Sequence, residues 1–320
     1  MKCKRCQIPA VVALPSHHTA FCKDCFLLFA RRLVERAIKE HDMFTFDDRI
    51  LIAISGGKDS LALSWQLKDL GYTIEGLHID LGIPESSPIA RAYAERFCTV
   101  NEIPLHVIET AGLGLAMCDV KRRVKRPICS VCGQTKRYLF NKFAQENGFT
   151  VLATGHNLDD ETSRLFANVM RWDVEFLSDQ GPVMPAERGF AKKVKPLFRL
   201  TEFETANLCF LADIDYGYAP CPYSSKASFP IYKNLLADLE DIQPGRKIRF
   251  YDGFLKDGRQ GFAPRGETSV DIQPCTTCGY PTSAGECGFC RLTATMNEDD
   301  GKRETRDVKR KSGRREAELK

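Results

Sequence analysis

The sequence has no run of about 18 apolar residues, which is the length that a membrane-spanning helix needs. Its first ten residues, MKCKRCQIPA, also lack the apolar stretch of a secretory signal peptide. Apolar residues make up 43% of the 320 residues and charged residues 28%, so a globular core is expected and wholesale disorder is excluded. We therefore expect a cytoplasmic protein with no membrane partner, built from two domains plus small appendages.

A strong net charge is also missing, because 46 Lys and Arg face 42 Asp and Glu, a balance of +4. That balance does not by itself indicate a nucleic-acid partner. The distribution is more informative, since basic residues cluster at 121–126, 136–137 and 192–195. One such run is typical of a solvated face, whereas several runs around one site favour binding to a phosphate backbone.

Cysteines are unusually frequent, with 14 in a chain whose expected compartment disfavours disulfides. Ten of them form five CxxC pairs, two near each end and one in the middle. Four thiolates in two tight turns match a closed tetrahedral shell, so we predict two structural Zn²⁺ ions, with iron as the open alternative. The predicted zinc ligands are Cys3, Cys6, Cys22 and Cys25 at one site and Cys275, Cys278, Cys287 and Cys290 at the other.

The middle pair, Cys129 and Cys132, is ambiguous among a redox dithiol, half a zinc site and part of an iron–sulfur ligand set. Its flanks do not support a thioredoxin-like dithiol. Cys221, between two prolines in a loop-like stretch, is the best candidate for a third ligand. Three cysteines would leave one iron of a cubane cluster open, as a catalytic metal site requires.

Strands and helices alternate between residues 49 and 170. The patterns predict buried strands at 49–55, 73–80, 105–109 and 150–154, separated by helices of roughly a dozen residues, the third of them at 133–147. This alternation predicts an α/β fold with a parallel, doubly wound sheet. Right-handed crossovers then place the strand-to-helix loops at one edge, where open sheets of this class bind ligands.

The first of these loops, SGGKDS at 55–60, follows a buried strand and opens a helix. Two glycines let the backbone approach a ligand closely, the helix start presents free N–H groups, and Lys58 adds positive charge. The loop is therefore suited to an anion, although it does not match the GxxxxGK[ST] pattern of the common nucleoside triphosphatases.

This loop resembles the SGGxDS signature of the PP-loop ATP pyrophosphatases, which cleave ATP between the α- and β-phosphates and adenylate a substrate oxygen. The resemblance implies that Ser55, Gly56, Gly57 and Ser60 hold phosphate oxygens. It implies that Lys58 neutralises developing charge and that Asp59 organises Mg²⁺ or assists catalysis. The other residues implied at the ATP and Mg²⁺ site are Ala53, His78, Ile79, Gly155 and Asp160. The last two belong to GHNLDD, which is also a plausible helix N-cap, and both roles are compatible.

Further motifs narrow the resemblance to the tRNA 2-thiouridine synthetases. They are CSVCG followed by KR, SGGKDSLAL, GLHIDLGI, ATGHNLDDE, and a terminal CxxCGYPT…CxFC, and the resemblance covers the chain from Cys3 to about Arg291. The resemblance implies that Cys129, Cys132 and Cys221 hold an oxygen-sensitive [4Fe–4S] cluster. It places Lys136 at the active site with Lys58 and Asp59; without the motif, Lys136 would be a surface lysine on a helix.

The implied reaction is adenylation of a tRNA uridine at O2, followed by displacement of AMP by sulfur. The implied partners are tRNA, a ubiquitin-like sulfur carrier or free sulfide as donor, and a second copy in a homodimer. The order of the terminal motif favours uridine 54 over the wobble uridine 34. The alternatives are a different PP-loop tRNA-modifying enzyme, which would lack the middle cysteines, and a zinc-knuckle RNA-binding protein with a vestigial ATP loop.

These features predict a PP-loop sheet flanked by zinc knuckles, in four segments. They are an N-terminal zinc finger at 1–28, the catalytic domain at 29–240 with a helical linker at its start, a C-terminal zinc-finger region at 241–296 and a charged tail at 297–320. The chain from Asn297 onward has nine Lys or Arg, seven Asp or Glu and no aromatic residue, which predicts disorder or a loosely helical arm.

Overall fold

The computed structural model describes residues 1–218, 220–224, 229–262 and 271–298, so the predicted tail lies almost wholly outside the described residues. The strands are β1 (Val12–Leu14), β2 (Thr19–Phe21), β3 (Ile50–Ala53), β4 (Ile74–Asp80), β5 (Leu105–Glu109), β6 (Val151–Ala153), β7 (Val183–Met184), β8 (Lys192–Val194), β9 (Gln273–Pro274) and β10 (Pro281–Thr282). The helices are α1 (Lys23–Glu40), α2 (Lys58–Asp69), α3 (Ser87–Val100), α4 (Met117–Arg123), α5 (Ile128–Glu146), α6 (Leu158–Arg171), α7 (Val174–Asp179), α8 (Glu202–Leu211), α9 (Phe229–Ile242), α10 (Arg246–Gly253) and α11 (288–298).

A six-stranded sheet in the order β5-β4-β3-β6-β8-β7 forms the centre of the fold. Its pairs are parallel except for β7, which runs antiparallel to β8. The predicted α/β fold is therefore confirmed. Continuous apolar segments such as ILIA in β3 suit strands that helices cover on both faces. Because β3, β4 and β6 are parallel neighbours, their carboxyl ends meet at one edge of the sheet.

Both terminal modules pack against the sheet domain. Val12 and Phe26 of the N-terminal segment belong to the main core, and so do Tyr251 and Phe254 near α10. The helix α1 also runs through the predicted boundary at residue 28. The predicted segment limits stay predictions, but these contacts join residues on both sides of 28 and 240 into one core.

The C-terminal cysteines belong to a second core beside α5. Cys275, Cys287 and Cys290 are buried there together with Tyr138 and Leu139 of α5. A third, smaller core surrounds Ile83, Val120 and Ile128, and half-buried Cys132 and Cys221 pack against it. The helix α5 therefore links the middle cysteines to the C-terminal module.

None of the helices in the described ranges is both long and apolar enough to cross a membrane.

A buried ion pair fastens α10 to α6, and its removal should destabilise the protein. The Lys247 Nζ lies 2.5 Å from the Asp159 Oδ1, and the side chains are 8% and 10% exposed. Lys247→Met would leave a buried carboxylate without its cation, so we expect the free energy of unfolding to fall by roughly 3–5 kcal/mol. Urea titrations compare this variant with Lys23→Met, which removes an exposed pair with Asp213 and should cost under about 1 kcal/mol. Equal losses in the two variants would contradict this assignment.

Candidate active site

The loop at 55–60 folds back on the hydroxyl of Ser60. That hydroxyl accepts from the Ser55 backbone N–H at 3.1 Å and donates to the Gly57 carbonyl at 3.0 Å. Gly56 has φ +77°, and a Cβ there would lie 2.1 Å from the Ala90 carbonyl oxygen, so only glycine fits. No described side chain caps the start of α2, which leaves its first N–H groups free for an anion.

A chain of alternating charges runs along the start of α2. The Lys58 Nζ lies 2.9 Å from the Asp59 Oδ2 and 2.8 Å from the Glu202 Oε1. On the other side of Glu202, the Lys233 Nζ lies 3.1 Å from the Oε2 of Glu202 and 2.7 Å from the Oδ1 of Asp160. Burial opposes the charge of both lysines, but the adjacent carboxylates outweigh it and raise the pKa of Lys58 and of Lys233. Two lysines are thus kept in their charged form at this edge of the sheet.

Asp59 is fixed from three directions. Its Oδ1 accepts from the Asn157 Nδ2 at 3.0 Å and from the Thr205 Oγ1 at 2.7 Å, while Lys58 occupies the Oδ2. Gly155 packs on the same point, since a Cβ there would lie 2.7 Å from the Asp59 carbonyl. The structure therefore brings the predicted loop residues together with the GHNLDD element.

Asp160 has two contacts at this edge. It closes a capping box with Asn157, in which each side chain accepts from the other residue's backbone N–H at 3.1 Å. Its Oδ1 meanwhile contacts Lys233. The N-cap and the site contact coexist, as the sequence suggested.

The wall behind the loop comes from the ends of β3 and β4. Ala53 ends β3, and His78 and Ile79 are buried near the end of β4. The His78 Nδ1 lies 2.9 Å from the Ile54 carbonyl oxygen, so that nitrogen donates, and burial lowers the pKa of His78. The neutral ring ties β4 to the residue before Ser55. Contact of these residues with ATP stays a prediction.

Three residues of the charged network were not predicted from the sequence. Glu202 and Thr205 lie in the first turns of α8, and Lys233 lies on α9. A capping box between Thr201 and Glu204 marks the start of α8 and could have indicated that turn. No local pattern identifies Lys233, because it reaches the site only through packing of α9 against α6.

The middle cysteines lie at the same edge of the sheet. Cys129 and Cys132 are in the first turns of α5, which begins at Ile128 and not at 133 as the sequence suggested, because Pro127 takes the N-cap position. The Cys129 Sγ lies 3.6 Å from the Tyr223 carbonyl oxygen, two residues beyond Cys221. The segment that leads to Cys221 is tied to the phosphate loop, because the Gly217 N–H donates to the Gly56 carbonyl at 2.9 Å.

The three middle cysteines lie close enough for the charges of Cys221 and Cys129 to act on the Cys132 thiol. Their sulfur atoms do not form one of the described sets whose ligand atoms all lie within 4.8 Å of one another. As placed here they do not fit one tetrahedral ion, and a [4Fe–4S] cluster held by these three thiolates stays a prediction. Burial raises the pKa of the Cys132 thiol, and the charge of Lys136, one turn later on α5, opposes that rise. No described contact joins exposed Lys136 to the phosphate loop, so its predicted catalytic role stays a prediction.

Each terminal cysteine set fits one metal ion. In both sets, the four sulfur atoms lie within 4.8 Å of one another. The Cys287 N–H, 3.2 Å from the Cys275 Sγ, helps lower the pKa of Cys275 to about 6, whereas burial and nearby thiols raise that of Cys290. Four thiols this close cannot all ionise unless a cation neutralises them. Zinc as that cation stays a prediction.

The sequence SGGKDS, which joins the end of β3 to the start of α2, places the loop in the class of PP-loop proteins. The family model described as "PP-loop domain" matches residues 30–217, and the one described as "2-thiouridine synthetase TtuA, N-terminal LIM domain" matches residues 2–27. The chain belongs to the 2-thiouridine synthetase family of PP-loop proteins.

Curated relatives and a solved structure agree with this family. The chain is 40% identical to the tRNA-5-methyluridine(54) 2-sulfurtransferase of Pyrococcus horikoshii, over 93% of this chain and 95% of the relative. It is 41% identical to the enzyme of the same name from Thermus thermophilus, over 91% of each. The structure of the U34-tRNA thiolase NcsA from Methanococcus maripaludis with its [4Fe-4S] cluster matches with a TM-score of 0.78 at 26% identity, over 91% of this chain and 95% of that one.

Proposed function

We propose that this protein is an ATP-dependent tRNA-uridine 2-sulfurtransferase that replaces O2 of uridine 54 with sulfur. The observation that carries the proposal is the meeting of two sites at one sheet edge. The phosphate loop and the segment before Cys221 share the hydrogen bond between Gly217 and Gly56. A loop that activates an oxygen with ATP and a cluster site for sulfur are complementary halves of one substitution.

In the first step, uridine O2 attacks the α-phosphate of ATP and pyrophosphate leaves. The free N–H groups of α2, with Ser55, Gly56, Gly57 and Ser60, bind the phosphate oxygens. Lys58 neutralises charge that develops on them. Asp59, which Asn157 and Thr205 hold in place, and Asp160 supply the carboxylates for Mg²⁺.

In the second step, sulfide attacks C2 of the adenylated uridine and AMP leaves, so oxygen is exchanged for sulfur without net oxidation. When bound by Cys129, Cys132 and Cys221, a [4Fe–4S] cluster would supply an iron with no protein ligand. Lys136 lies one turn beyond Cys132 on α5, where its charge stabilises the departing phosphate.

The proposed reaction requires a sulfur donor, structural metal ions and a tRNA substrate. The donor is a ubiquitin-like thiocarboxylate carrier or free sulfide, and two Zn²⁺ ions hold the terminal modules. The protein acts in the cytoplasm as a homodimer. Its substrate is tRNA, in keeping with the names of the relatives, which are tRNA sulfurtransferases and tRNA thiolation proteins.

The sequence identity to relatives of each kind favours uridine 54 over uridine 34 as the target. Relatives named for position 54 are 39–41% identical to this chain, whereas the thiolase named for uridine 34 is 26% identical. The wobble position remains the second candidate, because that thiolase shares the whole architecture at a TM-score of 0.78.

Transcripts with single base changes separate the two targets. We expect a tRNA with cytidine at position 54 to yield no 2-thiouridine product, and a tRNA with cytidine at position 34 to yield as much as the unchanged transcript. The protein, purified and reconstituted without oxygen, is incubated with ATP, Mg²⁺ and sulfide, and mass spectrometry of nuclease digests quantifies the thiolated nucleoside. The reverse pattern would assign position 34, and no thiolation of any transcript would refute the proposed reaction.

A further inference from the structure

Three cations on different elements beside the C-terminal module lie close enough to act on one another electrostatically. They are Arg137 on α5, Arg164 on α6 and Lys193 on β8. Within the described ranges, none of the three forms an ion pair or a hydrogen bond, whereas Lys58, Lys195 and Lys233 are each paired with a carboxylate. Unpaired cations held together in this way create a field that attracts an anion.

Arg137 interacts electrostatically with each of the other two cations. Partial burial, and next the charge of Arg164, lower the pKa of Arg137. Burial and the charge of Arg137 in turn lower the pKa of Lys193. A fold that brings like charges into such contact gains stability when a bound anion neutralises them.

A cavity of about 320 Å³ opens beside Arg137, between α5 and the C-terminal module. This volume is at the lower end of the range for cavities that hold small ligands. Besides Cys287 and Gly288, the residues that line it are of three kinds: two arginines, polar side chains that can bond to a base edge, and aromatic rings. Its walls include Arg126, Arg137, Ser130, Gln134, Tyr280 and Phe289.

The aromatic wall is rigid and adjoins the cations. Phe289 stacks on Tyr138 at 3.9 Å between ring centroids, and Tyr280 lies 4.7 Å from Tyr138. Phe190 bridges to the cations, because its ring contacts Tyr280 at 5.8 Å and Lys193 at 5.4 Å. Aromatic rings beside arginines are the usual surroundings of an unstacked RNA base with its phosphate.

The cavity also lies beside the middle cysteines. Ser130, which lines it, stands between Cys129 and Cys132 on the first turns of α5. Gly288 makes room for Gln134 here, because a Cβ at 288 would lie 1.6 Å from the Gln134 Nε2. An amide is thus presented in the cavity close to the predicted site of sulfur transfer.

We propose that this cavity binds one RNA nucleotide next to the uridine that is modified. Arg126 and Arg137 hold its phosphate, Tyr280 and Phe289 contact its base, and Arg164 and Lys193 attract the neighbouring backbone. The inference rests on the proposed function, since it takes tRNA as the substrate. It adds a binding site, formed by α5 and the C-terminal module, that lies outside the phosphate loop.

Equilibrium binding of a fluorescently labelled, unmodified tRNA transcript tests the site, with the anaerobically reconstituted protein. We expect the double variant Arg137→Gln/Lys193→Gln to bind about tenfold more weakly, and the slope of log affinity against log salt to fall by about one to two. Arg137→Lys keeps the charge and should keep the slope. Lys39→Gln, an exposed lysine on α1, is the matched control and should change neither quantity. ATP affinity should stay at the wild-type value in every variant.

The contribution of the aromatic wall can be measured separately from that of the cations. Tyr280→Leu should weaken binding about fivefold or more and leave the salt slope unchanged, because it removes a base contact and no charge. Iron and zinc contents are measured to confirm that this variant keeps its metals.

Three results would overturn the inference. Wild-type affinity and slope in the double variant would refute the site while leaving thiolation by the wild-type protein intact. If the double variant binds tRNA as the wild-type protein does, but loses sulfur transfer from a protein thiocarboxylate donor only, the three cations would instead bind an acidic protein. Failure of the wild-type protein to bind and thiolate tRNA would refute the proposed function itself.

Discussion

Cys221→Ala should abolish thiolation and leave the fold in place. Cys221 is half-buried at the margin of a small core, so its loss removes one thiol without opening the main core. With only Cys129 and Cys132 left, a cubane would lack the third thiolate that fixes it. We expect iron and acid-labile sulfide to fall from roughly four of each per chain toward zero, and thiolated tRNA to fall below detection.

The measurement is metal and sulfide analysis of protein purified without oxygen, combined with a single-turnover thiolation assay. Cys118→Ala is the matched control, since Cys118 is a half-buried cysteine on nearby α4 that belongs to none of the predicted ligand sets. It should keep iron, sulfide and activity. A fully active Cys221→Ala protein would refute the cluster assignment, and a wild-type protein that holds zinc but no iron after reconstitution would refute the cluster mechanism.

The same analysis separates the two kinds of cysteine site. The terminal sets have all four sulfur atoms within 4.8 Å, as one ion requires, and the middle set does not. Roughly two zinc ions per chain should therefore persist in Cys221→Ala. Loss of zinc together with iron would show that the middle cysteines support the whole fold rather than one cofactor.

The features that could be predicted from the sequence are those that local spacing determines. The strand at 105–109 coincides with β5, because its pattern and flanking turns are local. The terminal cysteine sets follow from short spacings in the same way. The helix α5 begins at Ile128, five residues before the predicted start at 133. A proline followed by CxxC shows no apolar period, so the sequence pattern gave no sign of a helix before residue 133.

Long-range pairing explains what the sequence did not reveal. Lys233 is separated by 31 residues from Glu202, and nothing around it marks it as part of the site. The cavity at Arg137 joins α5 to a module about 140 residues later in the chain, so no single motif contains it. Such contacts depend on how α9 and the C-terminal module dock, which residue spacing does not encode.

Lys58→Met should slow adenylation by roughly a hundredfold to a thousandfold, the cost of removing one preorganised charge from a transition state. Lys58 is the first residue of α2, the helix whose free N–H groups would hold phosphate. Its carboxylate partners keep it cationic before ATP binds, because they raise its pKa. The effect should fall mainly on kcat, since the loop backbone still binds the nucleotide.

The contacts around Lys58 also predict that the variant folds. Glu202 keeps Lys233 as a partner, and Asp59 keeps the Asn157 and Thr205 hydrogen bonds, so neither carboxylate is left unpaired. Release of pyrophosphate in the presence of tRNA measures the rate, with Lys68→Met in the last turn of the same helix as the control. A Lys58→Met rate within about threefold of wild type would mean that the backbone of the loop stabilises the transition state without this charge. The alternating series of Asp59, Lys58, Glu202, Lys233 and Asp160 would then serve to orient α2, α8 and α9 around the nucleotide.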